Sequence, residues 1–361
     1  AYLPTPDLVN KVKGLNEGEG IFDGEAVVAF FADDSEEDIN FERLKAIDTV
    51  GDFLSISNTW DIFSKNDLAI ALDFNILTED RDSEPIPESV QVIGQGQVFI
   101  EAGAQLQYCI LNATNGPIFL GAHSEVMEGS LIRGPFALGS HAMVKMGAKI
   151  YGATSIGAKS KVGGELNNVV MFPFSNKGHE EFLGNAVTGS KCNLGADTNN
   201  SNLKNNYGDV RIFNYGSQQM ESTGLQFCGL IMGDHAKTGI NTMLNTGTII
   251  GVAANVFGAG FPPKHIASFS WGGADTGFTT HQLDKAIEIR EGQSLKIDSL
   301  ETYLRNAMEL PEADLKVLQF PSGYSNLTYL LKFGKLELVL RRPPKGAKIK
   351  SGHDMGREFR I

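Results

Sequence analysis

The chain has 361 residues, of which 42% are hydrophobic and 20% are charged, with 41 glycines and a formal net charge of −12. This acidic balance argues against binding to nucleic acid, because phosphates would be repelled, and the chain lacks the run of about 18 apolar residues that a membrane span needs. Its three cysteines, Cys109, Cys192 and Cys228, form no C-x-x-C motif, which argues against a disulfide framework and a zinc site and favours a reducing, cytoplasmic compartment.

Residues 1–90 are strongly acidic, with 21 Asp and Glu against 6 Lys and Arg. They are predicted to form a mixed α/β segment. The run 26–31 is a candidate for a buried strand, and residues 60–72 have the pattern of an amphipathic helix. Pro85 and Pro87 mark the end of this segment.

An aliphatic residue recurs at every sixth position from Leu120 onward. A period of six fits neither the roughly 3.6 residues of a helical turn nor the alternation of a single strand. It predicts a coil with short flat faces, in which each aliphatic side chain points inward and stacks on its copies in neighbouring coils. The positions are Leu120, Val126, Ile132, Leu138, Val144, Ile150, Ile156 and Val162. The predicted fold of about residues 95–260 is therefore a left-handed parallel β-helix, and an ordinary β-sandwich is the alternative.

The six-residue register is lost after Val162 and resumes from Met232 to Val256. The intervening stretch 193–206 is rich in asparagine. It is predicted to be a loop ejected from the coil, and such loops of repeat proteins usually lie on the binding side.

Two helices and a hairpin are predicted at the C-terminal end. The helices cover 282–291 and 297–308, and the strands cover 325–333 and 335–340, with Gly334 at the turn between them. The last 46 residues carry 10 Lys and Arg against 3 Asp and Glu. This change of charge sign favours a module separate from the acidic N-terminal segment.

Several segments of the repeat region resemble the bifunctional N-acetylglucosamine-1-phosphate uridyltransferase / glucosamine-1-phosphate acetyltransferase. They are Gly134-Pro135-Phe136-Ala137, Lys177-Gly178-His179, Phe182-Leu183-Gly184-Asn185-Ala186 and Asn193-Leu194-Gly195-Ala196. Three further segments resemble a divergent, Bacteroidetes-type branch of sugar nucleotidyltransferases that carry this β-helix. These are Tyr2-Leu3-Pro4-Thr5-Pro6, Thr59-Trp60-Asp61-Ile62-Phe63 and Ser268-Phe269-Ser270-Trp271-Gly272-Gly273.

This resemblance covers residues 1–288 and implies a domain layout. Residues 1–90 correspond to the C-terminal part of a nucleotidyltransferase-like α/β domain, and residues 91–288 to an acyltransferase-like β-helix. By this resemblance the chain is expected to begin well inside the first domain, and residues 1–90 contain no glycine-rich phosphate loop. A nucleotidyl-transfer site is therefore expected to be incomplete.

Residues 292–361 resemble the beginning of an aminoglycoside phosphotransferase-like kinase, so residues 289–361 are predicted to form a partial kinase-like N-lobe. The resemblance rests on three segments, 320–329, 337–344 and 353–358. It implies that Arg341 pairs with phosphate and that Glu358 is its carboxylate partner. The catalytic and metal-binding Asp residues of such kinases have no counterpart before Ile361, which argues against phosphoryl transfer.

The acetyltransferase resemblance implies a set of site residues. His179 matches the catalytic base, a role that histidine suits near neutral pH; the alternative is a loop histidine that caps a coil. Asn193, Asn202 and Phe182 match residues that contact the sugar or the acyl donor. Ala259 lies near the donor's thioester end.

The resemblance also has departures. The family's sugar-phosphate-binding cations are replaced near Ser140 and Asn167 or Asn168, and the family's tyrosine after the catalytic histidine is Phe182. Lys204 is a candidate replacement for the lost cations, although a solvated loop lysine is an equally good interpretation. The acceptor is therefore an amino sugar phosphate or a related sugar.

Three interpretations remain open at this stage. The first is a cytoplasmic, homotrimeric transferase of sugar-nucleotide biosynthesis that moves an acyl group from acetyl-CoA, with no metal site. The second is a sugar-1-phosphate nucleotidyltransferase with a scaffold β-helix, for which Mg²⁺ would be needed. The third is an inactive, truncated fusion. None of them involves a nucleic acid or a membrane partner.

Overall fold

A computed structural model describes residues 1–32, 44–49, 54–280, 297–307, 310–319, 327–334 and 336–342. The predicted helix 282–291 lies outside these residues. Contacts within the chain define two compact units, residues 1–278 and residues 279–361. None of the described helices is both long and apolar enough to cross a membrane.

The N-terminal part of the first unit contains a helix and a small sheet. Helix α1, Pro6–Lys13, begins at Thr5, whose hydroxyl accepts a hydrogen bond from the backbone N–H of Leu8. The sheet has strand Glu19–Asp23 at its centre, between antiparallel Ala26–Phe31 and parallel Lys45–Thr49. The predicted strand 26–31 is present, but it is half-buried rather than buried.

Two helices follow, where the sequence pattern predicted one. Helix α2, Asp61–Ser64, and helix α3, Asn66–Thr78, are separated by Lys65. Phe63 packs into the apolar cluster on the outside of the β-helix. The buried Asn66 donates to the carbonyl oxygen of Ala153 at 2.8 Å and accepts from the Ser155 hydroxyl at 2.9 Å. The helical segment is thereby fixed to the coils.

The predicted parallel β-helix is confirmed, and its three faces are built from short strands that pair with the coils above and below. Face 1 contains Gln91–Ile93, Ile110–Asn112, Leu131–Arg133, Lys149–Tyr151, the first halves of Glu165–Met171 and Phe182–Thr188, Asn199–Asn200 and Met243–Leu244. Face 2 contains Val98–Ile100, Ile118–Leu120, Phe136–Leu138, Thr154–Ile156, the second halves of the same two long strands, Leu230–Met232, Thr248–Ile250 and His265–Ile266. Face 3 contains Gln105–Leu106, Glu125–Val126, Met143–Val144, Lys161–Val162, Asn176–Lys177, Lys237–Thr238, Asn255–Val256 and Ser270–Gly273.

The inward stacks form one continuous apolar core, and all eight predicted positions are buried in it. The strict six-residue register is lost after Val162, as the sequence shows, but the coil itself continues. The inward positions continue at Leu166, Met171, Lys177, Leu183, Thr188, Leu194 and Asn200. Because the interval contracts from six residues at the steps 162–166, 166–171 and 183–188, a strict six-residue scan misses these coils.

The predicted ejected loop at 193–206 begins too early in the chain. Asn193 bridges Asn176 and Lys237 in the parallel stack of face 3, and Asn199–Asn200 pairs with Met243–Leu244. The chain leaves the coil after Asn202 and returns at Cys228. The backbone N–H of Cys228 donates a hydrogen bond to the carbonyl oxygen of Asn202 at 2.9 Å. We call residues 203–227 the excursion. It contains the antiparallel hairpin Arg211–Asn214 and Gln219–Ser222.

Both ends of the core are covered by the chain itself. At the first coil the backbone N–H of Glu84 donates to the carbonyl oxygen of Ile100 at 2.8 Å, and the Ser83 hydroxyl accepts from the N–H of Ile100 at 2.9 Å. Ile86 packs against the core there, and Phe278 of strand Gly277–Thr280 also packs against it.

The second unit contains helix α4, Ile297–Ala307, and an antiparallel sheet of Leu315–Gln319, Leu327–Phe333 and Leu336–Arg342. The predicted helix and hairpin are therefore confirmed, with a left-handed Gly334 at the turn. Segments 320–326 and 343–361, which include Glu358 and most of the kinase-like motifs, lie outside the described residues. The kinase-like N-lobe and the role of Arg341 remain predictions.

Candidate functional site

His179 lies at the corner between face 3 and face 1. The corner, residues 178–181, follows the inward Lys177 and precedes Phe182, the first residue of the next face 1 strand. The imidazole of His179 is exposed. Gly164 lies in the coil beneath, and a Cβ atom there would stand 2.7 Å from Glu180 and 2.8 Å from the carbonyl oxygen of His179. Because Gly164 also has a φ of +71°, the corner rests on a position that only glycine fits.

Lys177 occupies an inward position that is aliphatic in most other coils. Its side chain is 1% exposed. The ammonium group donates to the carbonyl oxygens of Gly163 at 3.0 Å, His179 at 2.8 Å and Glu180 at 3.0 Å, and lies 3.5 Å from the Glu181 carboxylate. Burial lowers the pKa of Lys177, while the hydrogen bond to Glu181 opposes the shift. These contacts tie the His179 corner to the core.

The outer surface of face 1 beside this corner carries an aromatic ring and a hydrogen-bonded carboxylate. The ring of Phe182 lies over Gly184, where a Cβ would stand 2.3 Å from the ring. Glu165 pairs in register with Phe182 on the neighbouring coil. Its Oε1 accepts a short hydrogen bond from the Tyr151 hydroxyl, which raises the pKa of Tyr151 to about 12. An apolar ring beside a fixed acceptor suits a sugar with hydroxyl or amino groups.

Asn193 is on the outside of face 3, one coil beyond Asn176. The Asn176 side-chain amide donates to the Asn193 Oδ1 at 2.9 Å. Since Asn176 directly precedes Lys177, Asn193 lies near the His179 corner. Its side chain is exposed and open to a ligand.

Asn202 belongs to a ladder of side-chain amides at the opposite edge of face 1. Its Nδ2 donates to the Asn185 Oδ1 at 2.7 Å. Asn168 continues the ladder when the oxygen and nitrogen of its side-chain amide are assigned to match their partners. The Asn168 Oδ1 then accepts from the Asn185 Nδ2 at 3.1 Å, and the Asn168 Nδ2 donates to the carbonyl oxygen of Phe63 at 2.9 Å. Asn202 therefore supports the fold, and a single chain places it at the far end of the face from His179.

Lys204 lies at the start of the excursion, beside the same edge as Asn202. Its ammonium group donates to the carbonyl oxygen of Asp209 at 2.8 Å. The Lys264 ammonium group donates to the Thr246 hydroxyl at 3.2 Å, and its pKa is lowered by burial and by the charge of Lys204. Lys204 thus has a cationic neighbour, Lys264. Within a single chain, Lys204 does not lie beside His179.

Ala259 is exposed in the turn that follows strand Asn255–Val256. This turn lies on the same edge as the His179 corner, three coils further along. At about 4.8 Å per coil the separation is roughly 15 Å. The structure thus places His179 and Phe182 at one corner with Asn193 one coil beyond it, and sets the Phe182 ring and the Asn202 amide over the same Gly184. Lys204 and Ala259 lie apart from this group.

The three cysteines are not nucleophiles in this site. All are buried, and burial raises the pKa of Cys109 to about 11 and those of Cys192 and Cys228 to about 12. Among the described residues, no group of three or more His, Cys, Asp or Glu is arranged to hold a metal ion.

The sequence interpretation missed Lys177, Glu165 and Tyr151 as site residues. Lys177 lies six positions after Met171 and six before Leu183, so its inward position can be recognised from the sequence once the shorter intervals between Val162 and Met171 are allowed for. A charge at an inward position of a β-helix is a strong signal, because a buried ammonium needs dedicated acceptors. Glu165 and Tyr151 gave no signal, since their pairing depends on coil register.

Residues 1–82 match the family model described as sugar nucleotidyl transferase. The chain is also 28% identical over 217 residues to a bifunctional sugar-1-phosphate nucleotidylyltransferase/acetyltransferase of Sulfurisphaera tokodaii, a match that covers 60% of this chain and 47% of that protein. These two findings confirm the resemblance to sugar nucleotidyltransferases with a hexapeptide-type acetyltransferase. They lend no support to the kinase-like resemblance.

A second group of relatives is matched over a shorter length. The chain is 36% identical over 87 residues to mouse acyl-CoA dehydrogenase family member 10, which covers 24% of this chain and 8% of that protein. It is 36% identical over 81 residues to rat acyl-CoA dehydrogenase family member 11, or 10% of that protein. The chain therefore spans a tenth or less of these relatives and about half of the Sulfurisphaera enzyme.

Among solved structures, the chain is similar to the polySia-specific acetyltransferase NeuO, with a TM-score of 0.31 and 14% identity over 62% of this chain and 100% of that one. It is also similar to the Arabidopsis UDP-N-acetylglucosamine acyltransferase, with a TM-score of 0.33 and 14% identity over 62% of this chain and 90% of that one.

Proposed function

We propose that the β-helix transfers an acyl group from acetyl-CoA to the amino group of an amino sugar or amino sugar phosphate, with His179 as general base. The observation that supports this most is the exposed imidazole on a corner that is fixed from the core by Lys177 and flanked by Phe182 and Glu165. The match to a nucleotidylyltransferase/acetyltransferase supports the same chemistry.

The proposed reaction needs a base and a binding surface for the sugar. His179 removes a proton from the amine while the amine nitrogen attacks the thioester carbonyl carbon. The carbonyl electron pair moves to oxygen and returns as the carbon–sulfur bond breaks. The thiolate of coenzyme A then takes the proton from the imidazolium. Phe182 stacks on the sugar ring, Glu165 accepts from a hydroxyl or amino group, and Asn193 orients the sugar or the donor.

The remaining candidate residues fit a site shared between chains. Asn202 and Lys204 lie at the opposite edge of face 1 from His179. A cytoplasmic homotrimer that places this edge of one chain against the His179 edge of its neighbour would complete the site. Lys204 would then face the sugar phosphate, and the turn at Ala259 the acyl donor.

The test is acetyl-CoA turnover with a panel of amino sugars and amino sugar 1-phosphates. We expect His179→Ala to lower kcat/KM by about 10² to 10⁴-fold, the usual contribution of a general base. The control is His123→Ala, because His123 is also an exposed corner histidine but belongs to another edge of the β-helix. Equal rates for both variants would rule out His179 as the base.

The family match of residues 1–82 favours a second candidate, sugar-1-phosphate nucleotidyl transfer with the β-helix as scaffold. Calorimetric titration with a nucleoside triphosphate, a sugar 1-phosphate and Mg²⁺ separates the two candidates. Tight binding of the triphosphate with no acetyl-CoA turnover would favour the second.

A further inference from the structure

The peptide groups of the His179 corner have their carbonyl oxygens turned toward the core. The oxygens of His179 and Glu180 both accept from the Lys177 ammonium, at 2.8 and 3.0 Å. Both peptide bonds are trans. In a planar trans peptide the N–H points opposite to the C=O, so the N–H groups of Glu180 and Glu181 point away from the axis of the coil.

These two N–H groups are consecutive and available. Neither donates a hydrogen bond to an atom of the described residues. The carbonyl oxygens of the same two peptide groups accept from one ammonium group, that of Lys177, so both N–H groups face the side opposite to it. Successive backbone N–H groups that face one side bind anionic oxygens. The corner therefore presents two backbone donors beside His179.

The charges around the corner strengthen these donors. The Lys177 ammonium behind the two peptide groups polarises them through their carbonyl oxygens, which makes the N–H groups better donors. Both carboxylates of the corner form ion pairs with lysines. The Glu181 carboxylate lies 3.5 Å from the Lys177 ammonium group, and the Glu180 carboxylate lies 3.7 Å from that of Lys149.

We propose that the backbone N–H groups of Glu180 and Glu181, held outward by the buried Lys177, form an oxyanion-binding subsite for acyl transfer. This rests on the proposed function, in which the thioester carbonyl oxygen becomes negatively charged when the amine attacks. Two hydrogen bonds stabilise that oxygen until the carbon–sulfur bond breaks and the carbonyl re-forms. Lys177 is the positioning residue that fixes both donors and does not touch the substrate.

The experiment compares Lys177→Met with Lys161→Met. Methionine fits among the aliphatic inward residues, so we expect the Lys177→Met protein to fold and to unfold at no lower temperature than the control. Lys161 is an exposed lysine of the same face, one coil earlier, which makes it a matched control. Hydrogen exchange of the amides of residues 178–182 should accelerate in Lys177→Met and stay unchanged in Lys161→Met.

Kinetics identify which anion the subsite binds. An oxyanion exists only in the transition state, so we expect Lys177→Met to lower kcat at least about tenfold with little change in KM. A substrate phosphate is bound before reaction, so a raised KM with unchanged kcat would overturn the oxyanion assignment in favour of a phosphate. Unchanged kcat and KM would overturn the subsite altogether.

A second variant removes one donor directly and leaves Lys177 in place. Incorporation of the α-hydroxy acid analogue of glutamate at position 181 replaces the N–H by an ester oxygen, and we expect a kcat loss of about tenfold or more. If His179→Ala abolishes turnover while this backbone variant keeps full kcat, the inference is wrong and the proposed function stands. If His179→Ala has no effect, the proposed function itself fails.

Discussion

At the scale of single residues, the His179 corner depends on what lies beneath it as much as on the histidine. Lys177 holds the corner from inside the core, and Gly164 leaves the space in which the backbone of Glu180 rests. The histidine itself is exposed and receives no support from other side chains in the described chain. Its position is therefore a property of the backbone at 178–181.

Replacing Gly164 by alanine should disturb this corner in a way that a similar substitution elsewhere does not. Gly164 and Gly147 both sit at the edge between faces 3 and 1 with φ near +70°, but a Cβ at Gly147 meets nothing within 4 Å. We expect Gly147→Ala to cost about 1 kcal/mol from backbone strain alone. Gly164→Ala should cost about 1–2 kcal/mol more and lower acyl-transfer kcat. Denaturant titration and steady-state kinetics of the two variants check this, and equal behaviour would show that the contact with Glu180 is unimportant.

At the scale of elements, the excursion is held to the coil by a cluster of rings. Phe213 of the hairpin stacks on His265 of face 2 with ring centres 3.7 Å apart and planes 7° apart, and Tyr215 meets the same imidazole edge-on. The buried Nε2 of His265 has no hydrogen-bond partner in the part of the chain that the structure describes. Burial lowers the pKa of His265, so the hairpin packs on the neutral imidazole.

Acid should therefore loosen the hairpin. The pKa of His265 is lower in the folded protein than its unfolded value of about 6.5, so the unfolded state binds more protons and stability is lost as the pH falls below about 6.5. We expect the protection factors of the amides of residues 211–222, which are corrected for the intrinsic pH dependence of hydrogen exchange, to fall between pH 7 and pH 5. His265→Phe keeps a flat ring but does not titrate, so its protection factors should not show this fall. An equal pH response in both proteins would contradict the prediction.

The coil was predictable from sequence only where its interval stayed at six residues. Leu120 to Val162 satisfy that condition, and all are buried as predicted. A strict six-residue pattern does not find the coils around Lys177. Corners there are one or two residues shorter, which moves every later inward position out of the six-residue register. The asparagine-rich stretch 193–206 has the polar pattern of a loop, because polar residues are rare inside solenoids. Asn200 is nevertheless 4% exposed, and its side-chain amide forms hydrogen bonds with both the N–H and the carbonyl oxygen of Gly184.

The candidate site was predictable to a smaller extent. His179, Phe182 and Asn193 were inferred from resemblance, and their closeness follows from the coil. Glu165 meets Phe182 only because the two coils pair in a particular register, which no local pattern reveals.

At the scale of the whole molecule, the separation of the candidate residues predicts an assembly. His179 and Lys204 lie at opposite edges of one face, and helix α3 exposes apolar side chains such as Leu68, which is 55% exposed. We expect light scattering after size exclusion to give about three times the chain mass of 39.0 kDa. A mixture of His179→Ala and Lys204→Ala proteins should regain part of the activity, because some shared sites would then carry both native residues. A monomer with full activity would contradict this arrangement.

The covered ends of the core set the length of the solenoid. Every coil presents strand edges that the next coil would extend. At the first coil, Ser83 and Glu84 occupy the edge of the face 2 strand at Ile100, and Ile86 packs against the core. Without such plugs, parallel strands of separate molecules could add end to end into a growing filament. The short segment before the first strand thus acts as a stop that keeps the repeats in a finite particle.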